Sequence, residues 1–180
     1  MDNLESKEPI IEDIVKDYLG LVYSFVFRLT SNDGDASDIT QEVFVKVWKN
    51  LGKFKSGQSL KAWILTIARN TAIDWLRKKK PILFSQLNRV DEDGDLRFED
   101  NIKDKELLPD EVFAQGEMRA KLEKALGQLP LNQREVFLLH QEEGLTFEEI
   151  AKLVGRPMNT VKSQYRRALI ALRQYLAKSS

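Results

Sequence analysis

No cysteine occurs in the chain, which excludes a disulfide framework and thiolate chemistry. Its one histidine, His140, closes the apolar run of residues 136–139 and reads as an ordinary helix residue. No HExxH or phosphate-binding-loop pattern accompanies it, so no catalytic constellation is present. We expect no enzyme, cofactor or metal site. A calcium loop around Asp91-Glu92-Asp93-Gly94 fails on register: with Gly94 as the sixth loop residue, Arg89 falls at the first ligand position and cannot bind a cation. Net charge is also absent, with 28 basic residues against 28 acidic. That balance argues against a protein that simply coats nucleic acid and directs attention to local basic patches. No run of eighteen apolar residues exists, and residues 1–9 are acidic and polar rather than a cationic leader. A soluble, cytoplasmic protein without direct membrane insertion is expected. There is no internal repeat.

The 180 residues, 42% of them apolar, suffice for one ordinary domain or two small ones. Apolar residues recur at helical spacing almost throughout. Ile11, Ile14, Tyr18, Leu21, Val22, Phe25 and Leu29 trace a first helix, closed by a Ser31-Asn32-Asp33-Gly34 turn. Ala36, Ile39, Val43, Val47 and Leu51 mark a second, ending at Gly52. A third, from a Ser59 cap to Pro81, carries Leu60, Trp63, Ile64, Ile67, Ala68, Thr71 and Trp75, and both tryptophans fall on its apolar stripe as core residues. Three such helices can bury one core. Residues 91–111 then hold ten acids against three bases with little periodicity, the composition of a solvated linker.

The most informative segment lies near the end. Thr146 and Glu149 form a capping box ahead of Phe147, Ile150, Ala151 and Val154. Gly155 to Pro157 ends that helix and starts another with Val161, Tyr165, Ala168, Leu169, Leu172 and Leu176 on one face. Asn159, Lys162, Ser163, Arg166 and Arg173 are left elsewhere, and residues 160–178 contain no acid. This is a helix-turn-helix whose outward side suits phosphates and base edges in a major groove. Arg156, Thr160, Gln164 and Arg167 complete the candidate DNA-binding set.

Two further patches stand in the first unit. Lys53-Phe54-Lys55-Ser56-Gly57-Gln58 is a cationic loop with an aromatic, suited to separated strands. Lys61 follows it, and Asn70, Asp74 and Arg77 form a polar stripe running into Arg77-Lys78-Lys79-Lys80. Asp38, Gln41 and Glu42, near Asp35, share a helix face away from Ile39 and Val43 and suit a protein partner.

Four motifs in order now carry a resemblance: residues 35–44 (DASDITQEVF), 62–77 (AWILTIARNTAIDWLR), 129–137 (LPLNQREVF) and 145–151 (LTFEEIA) with 160–163 (TVKS). The chain resembles bacterial alternative sigma factors of the extracytoplasmic-function group, in the sigma-70 family. The resemblance implies an all-α fold of two small helical domains, region 2-like (10–80) and region 4-like (112–180). A flexible amino terminus (1–9) and an acidic flexible linker (81–111) complete it. It implies core RNA polymerase as partner, the clamp of its largest subunit docking on Asp35, Asp38, Gln41 and Glu42, the flap of its second-largest subunit near the second domain. It also implies reading and melting of the minus-ten element of promoter DNA by Lys53, Phe54, Lys55, Ser56, Lys61, Asn70, Asp74, Arg77, Lys78 and Lys79. The minus-thirty-five element falls to Arg156, Asn159, Thr160, Lys162, Ser163, Gln164, Arg166, Arg167 and Arg173, and an anti-sigma factor is a further partner. Gln164 stands where the family commonly shows Arg, and Arg156-Pro157-Met158-Asn159 replaces a small glycine-containing turn. The rival reading is a stand-alone helix-turn-helix regulator that binds its operator unaided.

Overall fold

In the computed structural model, residues 8–55, 57–79 and 116–178 are described. Seven α-helices, and no strand among the described residues, form two units: α1 (Glu8–Thr30), α2 (Asp33–Asn50) and α3 (Leu60–Lys79), then α4 (Gly116–Gln128), α5 (Leu131–Phe137), α6 (Phe147–Val154) and α7 (Met158–Lys178). The linker of residues 81–111 and Ser56 lie outside the described residues. Helix α1 already includes Glu8 and Pro9, which were expected in a flexible terminus.

The expected four-residue turn after α1 is only two residues long. Ser31, with φ 55°, ends α1, and Asn32 starts α2 by accepting the Asp35 amide at 2.9 Å. Asp33 and Gly34 therefore belong to the first helical turn, where Asp33 and Asp35 also oppose the positive end of the helix dipole. Ser59 does begin α3, its hydroxyl accepting the Ala62 amide at 3.2 Å. Arg77, Lys78 and Lys79 occupy the last turn of α3, the end a dipole makes favourable for cations.

Val22, Val26, Ile39, Val43, Val47, Ile64, Leu65 and Ala68 are fully enclosed between α1, α2 and α3. Trp63 and Trp75 pack against this core as partly buried residues. In the second unit Val136, Phe137, Leu139, Ile150, Val161, Ala168 and Leu172 are enclosed. The two sets belong to one apolar cluster, because α1 packs on α4 and α5, and α3 packs on α6. Burying each large side chain contributes on the order of 1.5–3 kcal/mol before ordering costs.

After α5 the chain widens into one π-helical turn, Leu138–Glu142, closed by the Glu143 amide on the Leu138 carbonyl at 3.1 Å. The expectation of a plain helix there missed this bulge. It turns His140 into a ring cluster: His140 stacks on Phe147 with centroids 4.2 Å apart and meets the Tyr165 edge at 4.7 Å. Its Nδ1 lies 2.8 Å from the Leu145 carbonyl oxygen. Burial raises the Tyr165 phenol, which donates to Gln141 Oε1 at 2.8 Å.

Candidate functional site

The capping box of α6 is built as the spacing requires. The Glu149 amide donates to Thr146 Oγ1 at 3.3 Å and the Thr146 amide to Glu149 Oε2 at 2.8 Å, and the Thr146 hydroxyl donates to the same carboxylate. These bonds, the backbone one first, hold the Glu149 carboxyl below its ordinary value. Gly155 closes α6 in the left-handed region, φ 69° and ψ 35°, its amide and that of Arg156 both donating to the Ala151 carbonyl. That conformation suits glycine, and it aims α7 across α6.

On α7, Asn159, Lys162, Ser163, Arg166 and Arg173 fall within about a third of the circumference at 3.6 residues per turn. Val161, Tyr165, Ala168 and Leu172 are buried opposite. Asn159, Lys162 and Arg173 are exposed, Ser163 and Arg166 on the same arc are half-buried, and Thr160 and Arg167, also half-buried, flank it. Gln164 is a correction. It was counted with the outward set, but it sits on the buried stripe at 4% exposure, between Val161 and Ala168 in register. Its Oε1 accepts from Arg156 Nη1 at 3.2 Å, so it props the turn instead of reaching outward.

In the first unit Asp38 and Gln41 are exposed and Glu42 is half-buried, paired with Lys46 at 2.7 Å. The exposed Val45 and Trp48, at 47% and 41%, continue the same side of α2; sequence reading missed them although their spacing from Asp38 was visible. Asp35 follows the same register but is not open to solvent. It is 9% exposed at the start of α2 and receives Lys79 Nζ at 2.6 Å, tying α2 to the end of α3. This pair draws Asp35 inward, against the expectation of an outward contact for it, while Lys79 keeps half of its side chain exposed.

The Lys53, Phe54, Lys55 stretch leaves α2 through a tight turn, with both lysines exposed and the Phe54 ring 5.3 Å from Trp63. Asn70, Arg77 and Lys78 are exposed along α3. Asn70 Oδ1 accepts from Arg69 at 3.2 Å, and Arg77 pairs with Asp74 at 2.9 Å. The polar stripe exists, yet part of it is already internally bonded.

What sequence reading did not find is a set of acids on α5 and the π turn. Glu135, 1% exposed, receives Arg69 Nε from α3 at 2.8 Å and Arg156 Nη1 from the helix-turn-helix at 2.8 Å. Glu143 receives Lys61 at 3.0 Å, whose Nζ also donates to the Glu143 carbonyl at 2.8 Å. Arg28 of α1 pairs with Glu142. Burial pushes the Glu142 carboxyl up, and Arg28 only partly offsets this. Arg134 donates to the Leu29 carbonyl at 2.9 Å and to the Gly127 carbonyl at 2.7 Å, so one guanidinium caps the carboxyl ends of α1 and α4. Burial lowers its pKa. A faint signal existed, since Glu135 occupies the Leu131, Leu138, Leu139 register of a core stripe, where a carboxylate requires a partner. Among the described residues no acidic or histidine cluster could hold a metal ion.

Residues 14–82 match the family model described as Sigma-70 region 2, and residues 119–172 match that of Sigma-70, region 4. The chain is 33% identical over 155 residues to the ECF RNA polymerase sigma factor SigX of Bacillus subtilis (strain 168), covering 86% of this chain and 77% of that one. It is 30% identical over 183 residues to the RNA polymerase sigma factor SigV of the same strain, covering 99% and 98%. Among solved structures, the sigma factor RpoE in complex with the anti-sigma factor NepR, from Bartonella quintana, superposes with a TM-score of 0.67 at 27% identity, covering 92% of this chain and 96% of that chain.

Proposed function

Because the chain belongs to the sigma-70 family, in its extracytoplasmic-function group, we propose that its first unit docks on core RNA polymerase and melts the minus-ten element while α7 reads the minus-thirty-five element. It directs polymerase to specific promoters for transcription initiation. It is not a stand-alone helix-turn-helix regulator, because a region 2 match over residues 14–82 precedes the helix-turn-helix. No nucleotide chemistry belongs to this chain; the polymerase supplies it. Its work lies with polymerase in the cytoplasm, and among the described residues no helix is long and apolar enough to cross a membrane.

The observation that carries the docking assignment is the exposed side of α2. Asp38, Gln41, Val45 and Trp48, with Glu42 beside them, form an acidic and apolar strip opposite the buried Ile39, Val43 and Val47. Such a strip suits the clamp of the largest subunit, with the flap of the second-largest subunit taking the second unit. Each reader alone need bind only weakly, because attachment to polymerase raises the effective concentration of the second site once the first is engaged. Capture of an unstacked base by the loop around Phe54 offsets an unstacking cost of a few kcal/mol per step. The residues proposed for the minus-ten element are Lys53, Phe54, Lys55, Ser56, Lys61, Asn70, Asp74, Arg77 and Lys78. Those proposed for the upstream element are Arg156, Asn159, Thr160, Lys162, Ser163, Arg166, Arg167 and Arg173. The solved relative RpoE is held by an anti-sigma factor, and a partner of that class is proposed here.

Run-off transcription with core polymerase on a promoter library, with and without the protein, tests the whole reading. Transcripts that depend on the protein from a shared pair of elements are expected. For the docking face, Asp38→Lys with Glu42→Lys should weaken capture of core polymerase at least tenfold while shifting stability within about 0.5 kcal/mol, the usual range for surface changes. Undiminished capture would remove the α2 face from the assignment.

A further inference from the structure

Arg156 stands where α5, α6 and α7 meet. Its amide donates to the Ala151 carbonyl of α6 at 3.1 Å. Its Nη1 lies 2.8 Å from Glu135 Oε1 on α5 and 3.2 Å from Gln164 Oε1 on α7. The guanidinium thus points into the unit: Glu135 is 1% exposed, and a carboxylate that buried holds its cation inward. We infer that Arg156 is a positioning residue, which sets the angle of α7 through Glu135 and touches neither phosphate nor base. This rests on the sigma reading above and gives one member of its upstream set a different task.

The turn needs such an anchor. Gly155 lies in the left-handed region, where glycine has the widest freedom, and Pro157 offers no amide to bond. The apolar stripe of Val161, Tyr165, Ala168 and Leu172 keeps α7 on the core but tolerates small tilts, because apolar contact is non-directional. A hydrogen-bonded pair of guanidinium and carboxylate is directional. Arg166 lies about 12 Å along α7 from Met158 at 1.5 Å per residue, so a tilt of about 5° carries it roughly 1 Å, more than the spread of good hydrogen-bond lengths. Preference among upstream elements is therefore the property the pair protects.

Gln164 completes the arrangement. The family commonly carries Arg at that position, whereas the arginine of this chain stands in the turn, and the two departures meet at one carboxylate. Glu135 already receives Arg69 Nε at 2.8 Å from the other unit, so a cation at position 164 beside Arg156 would crowd a third guanidinium onto it. An amide avoids that, accepting from Arg156 where an arginine would repel it. The cation has in effect moved from the helix to the turn. Removing the Gln164 amide alone leaves the ion pair in place.

The exchange can be reversed. Promoters with a randomised upstream element are transcribed by core polymerase with the full-length chain, and binding of that holoenzyme to one promoter is followed across salt concentration. Arg156→Gln should narrow the ratio between preferred and disfavoured upstream elements about tenfold, the discrimination that one good base contact supplies, at an unchanged salt slope. Arg156→Gln with Gln164→Arg returns a cation to Glu135 from α7 itself, and should restore the ratio to within about twofold of the parent. A phosphate contact gives a different pattern: uniform weakening, a salt slope lower by about one, and no rescue by a buried cation. That pattern, or a parental ratio for Arg156→Gln, overturns the assignment. Glu135→Gln keeps Arg156 and its charge, and should narrow the ratio as Arg156→Gln does. A parental ratio there also overturns the assignment, and this variant decides the matter should the exchanged chain fail to fold.

Thermal melting without polymerase separates the two readings. Arg156→Gln and Gln164→Arg should each lower the melting temperature by roughly 2–4 °C, and their combination should return it to the parental value. Rescue in the melt with no transcript from the parental protein would overturn the sigma reading and leave the pairing standing. Additive losses in the melt overturn the exchange.

Discussion

Gln164 and Arg166 are two residues apart on α7 and have opposite tasks. Gln164 is buried and props Arg156, so Gln164→Ala should cost about 1–2 kcal/mol in urea denaturation through lost packing and a lost bond to a charged group. Its preference profile on randomised upstream elements should match the parent. Arg166→Ala should relax that profile, whereas Arg173→Ala should lower binding uniformly and reduce its salt dependence. A parental profile for Arg166→Ala would show that another face of α7 enters the groove. Gln164 was misplaced from sequence because its residue type outweighed its register: the spacing from Val161 and to Ala168 already put it on the buried stripe.

Helices and their caps were the legible elements, because their signals are local. Thr146 and Glu149 stand three residues apart, and the box they form is present. Its carboxyl is held below the ordinary value near 4.5, so this contribution to stability is fully present above that pH and is lost as pH falls through the lower folded value. Thermal melts of Glu149→Gln should therefore show a flatter acid limb than the parent, and an identical limb would assign the acid sensitivity elsewhere. Thr146→Ala should cost about 0.5–2 kcal/mol, as caps generally do. The π turn was not legible, since a single wide turn leaves the apolar period nearly unbroken. Nor was the sharing of Glu135, whose partner Arg69 is 66 positions away in sequence and leaves no period at all.

At the scale of the molecule, one apolar cluster runs through both units, and the ion pairs Arg28–Glu142, Lys61–Glu143 and Arg69–Glu135 cross between them. The parental protein should melt in a single calorimetric transition with equal calorimetric and van't Hoff enthalpies. Arg28→Glu should split it into two, one for each unit. A single transition in both would mean that apolar contact alone couples the units.

Arg134 adds a dimension of time. The carbonyl of Leu29 waits for a guanidinium 105 positions later in the chain. At about 5–20 residues per second, synthesis takes roughly 5–20 s to bridge that interval. During it α1, α2 and α3 can pack on one another while the helices that later pack against them have yet to emerge from the ribosome. A newborn chain thus passes through a window in which the end of α1 still lacks its cap, so the carbonyl of Leu29 must be met by water until Arg134 arrives.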